Sequence, residues 1–295
     1  MATHVPVMTA EVLRELRPER GGLFVDCTVG LGGHAHLILE AGASRLIGLD
    51  RDAEALSVAR DRLAPWGGKV DLVHADYQRL LEVLEARAVD AVDGVLADLG
   101  VSSFQLEGQG RGFSFQRDEP LDMRMDRSGG QTAAEFIRQA SERELADVIF
   151  RYGEERHSRR IARAIVGARR QAPIATTGQL AAIVRRAIPR RGYTRIDPAT
   201  RTFQALRIRV NGELDDLETF LVDASGRLRP GGRLVVVTFH SLEDRIVKHT
   251  LRRVERGGPF AMRVLTKKPV VPGPDEVASN PRARSAKLRA AERIA

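Results

Sequence analysis

Between Leu23 and Asp98, short apolar runs alternate with stretches of helical period. LFVDC (23–27), RLIGLD (45–50), KVDLVHAD (69–76) and VDGVLADLG (92–100) read as strands; HAHLILEAG (34–42), residues 53–63 and QRLLEVLEAR (78–87) read as the helices between them. Strands this apolar are buried on both faces, and helical crossovers join parallel neighbours with a right hand. The pattern predicts a parallel sheet covered on both sides. It then breaks. Residues 104–130 mix Gly, Phe and charge without a period and read as a long ordered loop. From Thr132 to Pro189 the apolar spacing is helical, in AAEFIRQA, LADVIFRYG, IARAIVGARR and LAAIVRRAI, with Pro173 and the Thr176–Thr177 pair as a stop and a fresh N-cap. A helix is expected over 203–228, then the turn PGG (230–232) and a fifth strand, RLVVVTFHS (233–241). In the tail, RVLTKKPVV suits an edge strand, and SAKLRAAERI suits a helix or a strand. The simplest architecture is an α/β domain of residues 1–107 and 204–295, interrupted after its fourth strand by an all-helical insertion at 108–203.

Composition narrows the picture. With 295 residues, 43% hydrophobic and 29% charged, the chain can fill the cores of two modest domains, and wholesale disorder is excluded. No run approaches the roughly 18–20 apolar residues of a membrane span. The start, MATHVPVMTAEVLREL, has no basic flank before an apolar run, so no secretory signal is expected and the cytoplasm is the default. One cysteine, Cys27, excludes a disulfide framework and cysteine-cluster metal sites, and no metal is expected. The net charge of +8 is unevenly spread: −7 over 1–107, +8 over 108–203 and +7 over 204–295. From Arg151 to Arg195 there are twelve arginines against Glu154 and Glu155. The chain has 42 Arg and 5 Lys, which explains the choice of arginine but not its clustering. An acidic first third and a basic remainder predict a polyanionic partner, nucleic acid, for the later segments.

The chemistry concentrates in VDCTVGLGGHAH (25–36), where a strand ends at Asp26, a glycine turn follows and a helix begins near His34. Gly30 and Gly32 let the backbone approach a ligand, and the helix start offers unpaired N–H groups. Gly30-x-Gly32-x-x-Ala35 also fits the dinucleotide fingerprint, so the turn alone does not separate NAD from other adenosine ligands. Asp50, ending the second strand, suits ribose hydroxyls in either case. Asp76-Tyr77 after the third strand suits an adenine ring, and Asp98 after the fourth faces the reacting end of the ligand. This order of acids looks like that of an S-adenosylmethionine-dependent methyltransferase. Cys27, beside a buried strand, reads as a packing residue, which argues against covalent pyrimidine C5 chemistry. Methylating an exocyclic amine needs no adduct, only an oriented amine and an acceptor for its N–H, a role open to Asp98.

Three further blocks, DLGVSSFQL (98–106), RGFSFQRDEPLDMRMD (111–126) and TFHSLEDR (238–245), join HVPVM (4–8), the glycine turn, ATRTFQALRIRVNGEL (199–214) and the NPRARSAKLRAAER tail (280–293). Together, across essentially the whole chain, they resemble the bacterial small-subunit ribosomal RNA cytosine-N4 methyltransferase family of the MraW type. The resemblance implies a Rossmann-like class I methyltransferase domain with an inserted helical domain that recognises RNA. It implies methyl transfer from S-adenosylmethionine to N4 of a cytidine in the decoding region of 16S ribosomal RNA, met within the small ribosomal subunit. Carried over by position, the cofactor residues are Gly32, Gly33, His34, Asp50, Tyr77, Asp98 and Gln105, with Asp98 also the catalytic candidate. Tyr77 stands where the family more often has Phe, Asp197 where many relatives have His, and Thr238 where Ser is common. Asp98-Leu-Gly-Val replaces the Asp/Asn-Pro-Pro-aromatic of many amine methyltransferases, so the pose of the target amine cannot be borrowed from them. His240 suits either a general base or a structural histidine. Phe113 or Phe115 suits either stacking on the base or the core beside the insertion.

Overall fold

In the computed structural model, which describes residues 6–188 and 197–295, α1 (Thr9–Leu16) leads into β1 (Leu23–Asp26), α2 (Gly33–Glu40), β2 (Arg45–Asp50), α3 (Ala53–Leu63), β3 (Val70–His74), α4 (Leu80–Glu85) and β4 (Val92–Asp98). Helices follow: α5 (Ser103–Glu107), α6 (Ala133–Gln139), α7 (Glu142–Gly153), α8 (Ser158–Arg169), α9 (Thr177–Ala187) and α10 (Ala199–Asn211). The chain closes with α11 (Leu217–Gly226), β5 (Leu228–Thr238), α12 (Ser241–Gly257), β6 (Met262–Val264), α13 (Pro274–Ser279) and β7 (Lys287–Arg293). Two units result, Met1–Gly100 with Leu214–Ala295, and Val101–Glu213.

The first unit is one seven-stranded sheet in the order β3-β2-β1-β4-β5-β7-β6. β1 to β5 pair in parallel, and β7 runs against both of its neighbours. Alternation at period two assigns the faces. Phe24, Leu46, Leu96, Val235 and Val237 point to α1, α2 and α3, and Val25, Ile47, Val95, Leu234 and Val236 point to α4, α11 and α12. Each such side chain contributes about 1.5–3 kcal/mol by leaving water. No described helix is long and apolar enough to cross a membrane.

The structure adjusts four readings. The single helix expected over 203–228 is two helices, because Gly212 takes the left-handed conformation (φ 58°) that ends α10. α10 packs Phe203, Ala205 and Leu206 into the helical unit, so that unit extends to Glu213 and begins at Val101, rather than spanning 108–203. The PGG segment is not a turn before the strand but an irregularity inside β5: Val92 pairs with Leu228 and Gly94 with Arg233, with Gly231 at φ 82°. The tail resolves as strand. β7 buries Leu288 and Ala290 on one face and Ala291 on the other, and its charges are matched by Arg289–Asp244 (2.6 Å) and Arg233–Glu292 (2.8 Å).

The second unit gathers Leu145, Ile149, Ile161, Ile165, Leu180, Val184 and Leu206 of α7 to α10. Capping boxes start α6 (Thr132 with Glu135) and α9 (Thr176 with Gln179), and Ser141 caps α7. Segment 104–130 opens with α5 and then supplies core: Phe113, Leu121, Met123 and Met125 are buried. It is pinned by Asn211, whose Oδ1 accepts from Met125 N–H (2.7 Å) and whose amide donates to the Met123 carbonyl (2.8 Å).

Candidate functional site

From β1 the chain moves outward to β2 and β3, then returns to lay β4 and β5 on the other side. The carboxyl ends of β1 and β4 therefore flank the point where the strand order reverses, the place where open parallel sheets bind ligands. Asp26 ends β1 and Asp98 ends β4. Thr28 ties them together. Its N–H donates to Asp26 Oδ1 (3.1 Å), and its hydroxyl accepts from the Asp98 N–H (2.7 Å). Asp26 Oδ2 and Asp98 Oδ1 are buried with no hydrogen-bond partner among the described residues. A buried acceptor left unsatisfied costs about 1–3 kcal/mol, so two at the ends of neighbouring strands point to donors supplied by a ligand.

Burial pushes the Asp26 carboxyl up to about 7, partly offset by nearby His34 and by the Thr28 N–H, while Asp98 and Asp50 add to the rise. His34 is buried in the first turn of α2, with Nε2 3.6 Å from Asp98 Oδ2. Burial disfavours its charged form, but the Asp98 and Asp26 carboxylates and a hydrogen bond with the Val7 backbone outweigh that, and its pKa is raised. Two acids and one histidine therefore form one electrostatic cluster.

Asp50, at the end of β2, accepts from Gly30 N–H (2.7 Å, Oδ2) and Asp52 N–H (2.8 Å, Oδ1). It shapes the glycine turn, and each oxygen retains acceptor capacity for a ligand hydroxyl. Burial raises it to about 6 against the pull of those N–H groups. The glycines divide their roles. A Cβ on Gly33 would lie 2.3 Å from Pro6 Cγ, and one on Gly32 (φ 78°) 3.2 Å from Leu63. These two glycines admit protein neighbours, Pro6 and α3. At Gly30 (φ 52°) a Cβ would meet only the Thr28 carbonyl at 3.8 Å, so Gly30 leaves the open side of the turn.

Tyr77 is 8% exposed, its ring 4.8 Å from that of Phe220 in the core below β3. The preceding Asp76 caps the turn at Gln78 N–H (3.0 Å) and pairs with Arg51 (3.2 Å). Cys27 is buried, its N–H donating to the Leu96 carbonyl, and burial holds its thiol well above the usual range, as a packing cysteine requires. Gln105 belongs to the helical unit, buried in the capping box of α5, where its Oε1 accepts from Ser102 N–H (3.0 Å). Thus His34, Asp50 and Asp98 gather at the sheet edge with Gly32 and Gly33, while Tyr77 and Gln105 are integrated into local packing.

His240 caps α12, and Glu243 reaches back to the N–H of Phe239 (2.8 Å) and His240 (3.2 Å), which is the structural reading of this histidine. Phe113 is core, and Phe115 packs on Phe203 (4.7 Å) with Arg185 above it (5.5 Å). Asp197 pairs with Arg185 (2.8 Å) and accepts from Ala199 N–H, ordering the start of α10. Asp26 counted in the order of acids along the sequence but not among the cofactor residues carried over from the resemblance, and the Pro6–Met8 segment that lies on the glycine turn was left out of the site altogether. Met8 is left-handed and its N–H donates to Glu276 Oε1 (2.6 Å). The HVPVM block was the available signal for that segment.

A profile of the MraW methylase family matches residues 1–294. The chain is 54% identical over 291 residues to the ribosomal RNA small subunit methyltransferase H of Sorangium cellulosum, covering 99% of this chain and 91% of that one. It is 50% identical over 307 residues to the protein of the same name from Geotalea uraniireducens, at 99% and 98% coverage. Among solved structures, an rRNA methylase from Streptococcus thermophilus covers 97% of this chain and 94% of its own, at 11% identity and a TM-score of 0.41. With the family's profile spanning the glycine turn, the acids of the sheet edge and the helical unit alike, the chain belongs to the MraW methylase family.

Proposed function

We propose that this chain transfers the methyl group of S-adenosylmethionine to the exocyclic N4 of a cytidine in the decoding region of small-subunit ribosomal RNA, in the cytoplasm and without a covalent enzyme–RNA adduct. The observation that carries this reading is the pair of unpartnered, buried acid oxygens, Asp26 Oδ2 and Asp98 Oδ1, at the reversal point of the sheet. Such a pair fits a ligand rich in donors, and S-adenosylmethionine carries ribose hydroxyls, an ammonium group and, on its sulfonium, the electrophilic methyl that it supplies when bound.

Asp50 accepts from the ribose hydroxyls, beside the Gly30–His34 turn. Asp26 accepts from a cationic donor. Tyr77 sustains the apolar wall after β3 through Phe220. Asp98 accepts an N–H of the target amine, which orients the nitrogen and draws off its proton as the new C–N bond forms. His34, 3.6 Å away, positions the Asp98 carboxylate. Cys27, buried with its thiol proton held, takes no part, which is why no adduct forms. The helical unit holds the RNA. Residues 101–213 carry a net +8, equal to that of the whole chain, and the rest is neutral. Arg190, Arg191 and Arg195, part of the arginine cluster, lie outside the described residues.

The test is incubation with methyl-tritiated S-adenosylmethionine and small ribosomal subunits from a strain lacking the activity, followed by digestion of the RNA to nucleosides. Tritium in N4-methylcytidine supports the proposal; tritium in another nucleoside, or none in RNA, overturns it.

A further inference from the structure

α7 and α8 are joined by four residues, 154–157, and so run antiparallel as a helical hairpin. Glu142 of α7 lies 3.6 Å from Arg163 of α8, an exposed ion pair across the hairpin. α8 buries Ile161, Ala162 and Ile165. At 100° per residue the opposite side carries Arg159, Arg160, Arg163, Gly167 and Arg170, within an arc of about 100° and along about 17 Å of helix axis. Arg156 continues the row into the hairpin turn. All five arginines are exposed. Arg163 has Glu142; Arg156, Arg159, Arg160 and Arg170 have no side-chain ion pair or hydrogen bond with a described residue. The sequence offers no local remedy, because no acid occurs between Arg156 and Asp197.

Two further features share this hairpin. Gly167 sits on the exposed face with open space where a Cβ would be, so packing does not require it, although glycine weakens a helix interior relative to alanine. It leaves the backbone approachable in the middle of the row. Phe150 of α7 is 61% exposed, the one aromatic among the large exposed hydrophobic residues described. Phe150 lies in the last turn of α7 and Arg156 in the four-residue connection that follows, so the ring and the first arginines of the row share one end of the hairpin.

The geometry points to a surface for single-stranded RNA along α7 and α8, on which the α8 arginines follow the phosphates and Phe150 stacks on a base. The inference rests on the reading of the substrate as RNA and specifies the part of the helical unit that meets it. Cations in a row, four of the five without a counter-ion among the described residues, suit a polyanion, and an exposed ring suits an unstacked base, which a duplex does not offer and an acidic protein lacks.

The test uses the full chain and three fluorescein-labelled probes: a single-stranded RNA of small-subunit sequence, the same strand made abasic, and its duplex. Arg159→Gln with Arg160→Gln lowers affinity for both single strands at least tenfold and reduces the log–log salt slope by about 1.4, at about 0.7 for each phosphate no longer neutralised. Phe150→Ala lowers affinity for the intact strand about tenfold, the scale of one stacked base, with the salt slope and the abasic-strand affinity unchanged. Phe150→Trp keeps wild-type affinity, and its added fluorescence is quenched by the intact strand only. All these side chains are exposed, and matched thermal melts confirm that the variants fold. Wild-type affinity in the Arg159/Arg160 variant, equal weakening of intact and abasic strands by Phe150→Ala, or preference for the duplex overturns the inference. Methyl transfer to RNA is measured alongside. A wild type that methylates RNA while the variants bind normally refutes the surface and leaves the function standing; a wild type that methylates no RNA while the variants lose RNA binding refutes the function and supports the surface.

Discussion

Among the described residues, Asp26 and Asp98 at the carboxyl edge of the sheet keep unpartnered oxygens out of water, whereas along α8 and its two ends Arg156, Arg159, Arg160 and Arg170 hold unpartnered guanidinium groups in it. The first arrangement is expensive in the free protein, about 1–3 kcal/mol for each orphaned acceptor, and it is tolerated because β1, β4 and Thr28 over-determine the geometry. The second costs little, since water solvates each arginine, and its self-repulsion is relieved when a polyanion releases its counterions. A few buried acceptors select one small ligand by shape. Many exposed donors hold a long charged chain by number. The neutral α/β unit and the +8 helical unit follow these two designs.

The comparison is broken most severely at Asp98. Asp98→Ala should lower single-turnover methyl transfer by about 10²–10⁴, the usual scale for a positioned proton acceptor, with an unchanged circular dichroism spectrum. Next comes Asp50. Asp50→Ala should weaken S-adenosylmethionine binding by roughly 1.5–3 kcal/mol, read by calorimetry, as the charge-assisted hydrogen bonds disappear. Because burial raises Asp50 to about 6, wild-type affinity should also fall as the pH drops through 6, and Asp50→Asn should remove that dependence.

Asp26 tests whether the buried acid is held at a cost. Its carboxyl rises from 3.8 to about 7 on folding, chiefly through burial, so the native state binds this proton more tightly than the unfolded chain does. That contribution to stability is complete below pH 3.8 and is lost as the pH rises through 7. Asp26→Asn should therefore raise stability at pH 8 by about 2 kcal/mol, less than the whole rise converted at roughly 1.4 kcal/mol per pKa unit, and flatten the pH dependence of thermal melting between those values. Cofactor affinity should fall in the same variant. The smallest effect belongs to Cys27. Cys27→Ala should keep turnover within about tenfold and cost about 1 kcal/mol in a melt, since only packing is removed.

Much of this was legible in the sequence, for identifiable reasons. β1 to β4 are short apolar runs punctuated by helices, and Asp26, Asp50 and Asp98 stand at their ends because a parallel sheet delivers each carboxyl end to one edge. Other parts depend on tertiary pairing. KLRAAER is composed of helix formers, yet it becomes β7 because β5 and β6 flank it and Asp244 and Glu292 neutralise buried Arg289 and Arg233. Gly212 was hidden within a long helical run, and only its left-handed conformation separates α10 from α11. RGFSF and PLDMRMD combine charge with buried Phe113, Met123 and Met125, a mixture that has no period and reads as loop. Pro6 packed on Gly33 joins residues whose roles are visible only once the turn has folded.

The most direct measurement of this division of labour is the salt dependence of two affinities in one preparation of the wild-type chain: S-adenosylmethionine by calorimetry and single-stranded small-subunit RNA by anisotropy, each from 50 to 300 mM salt. The account predicts a nearly flat cofactor line and an RNA line that falls with a log–log slope of about 0.7 for each phosphate held, at least 2 in total. Equal slopes for the two ligands, or an RNA affinity indifferent to salt, would contradict it.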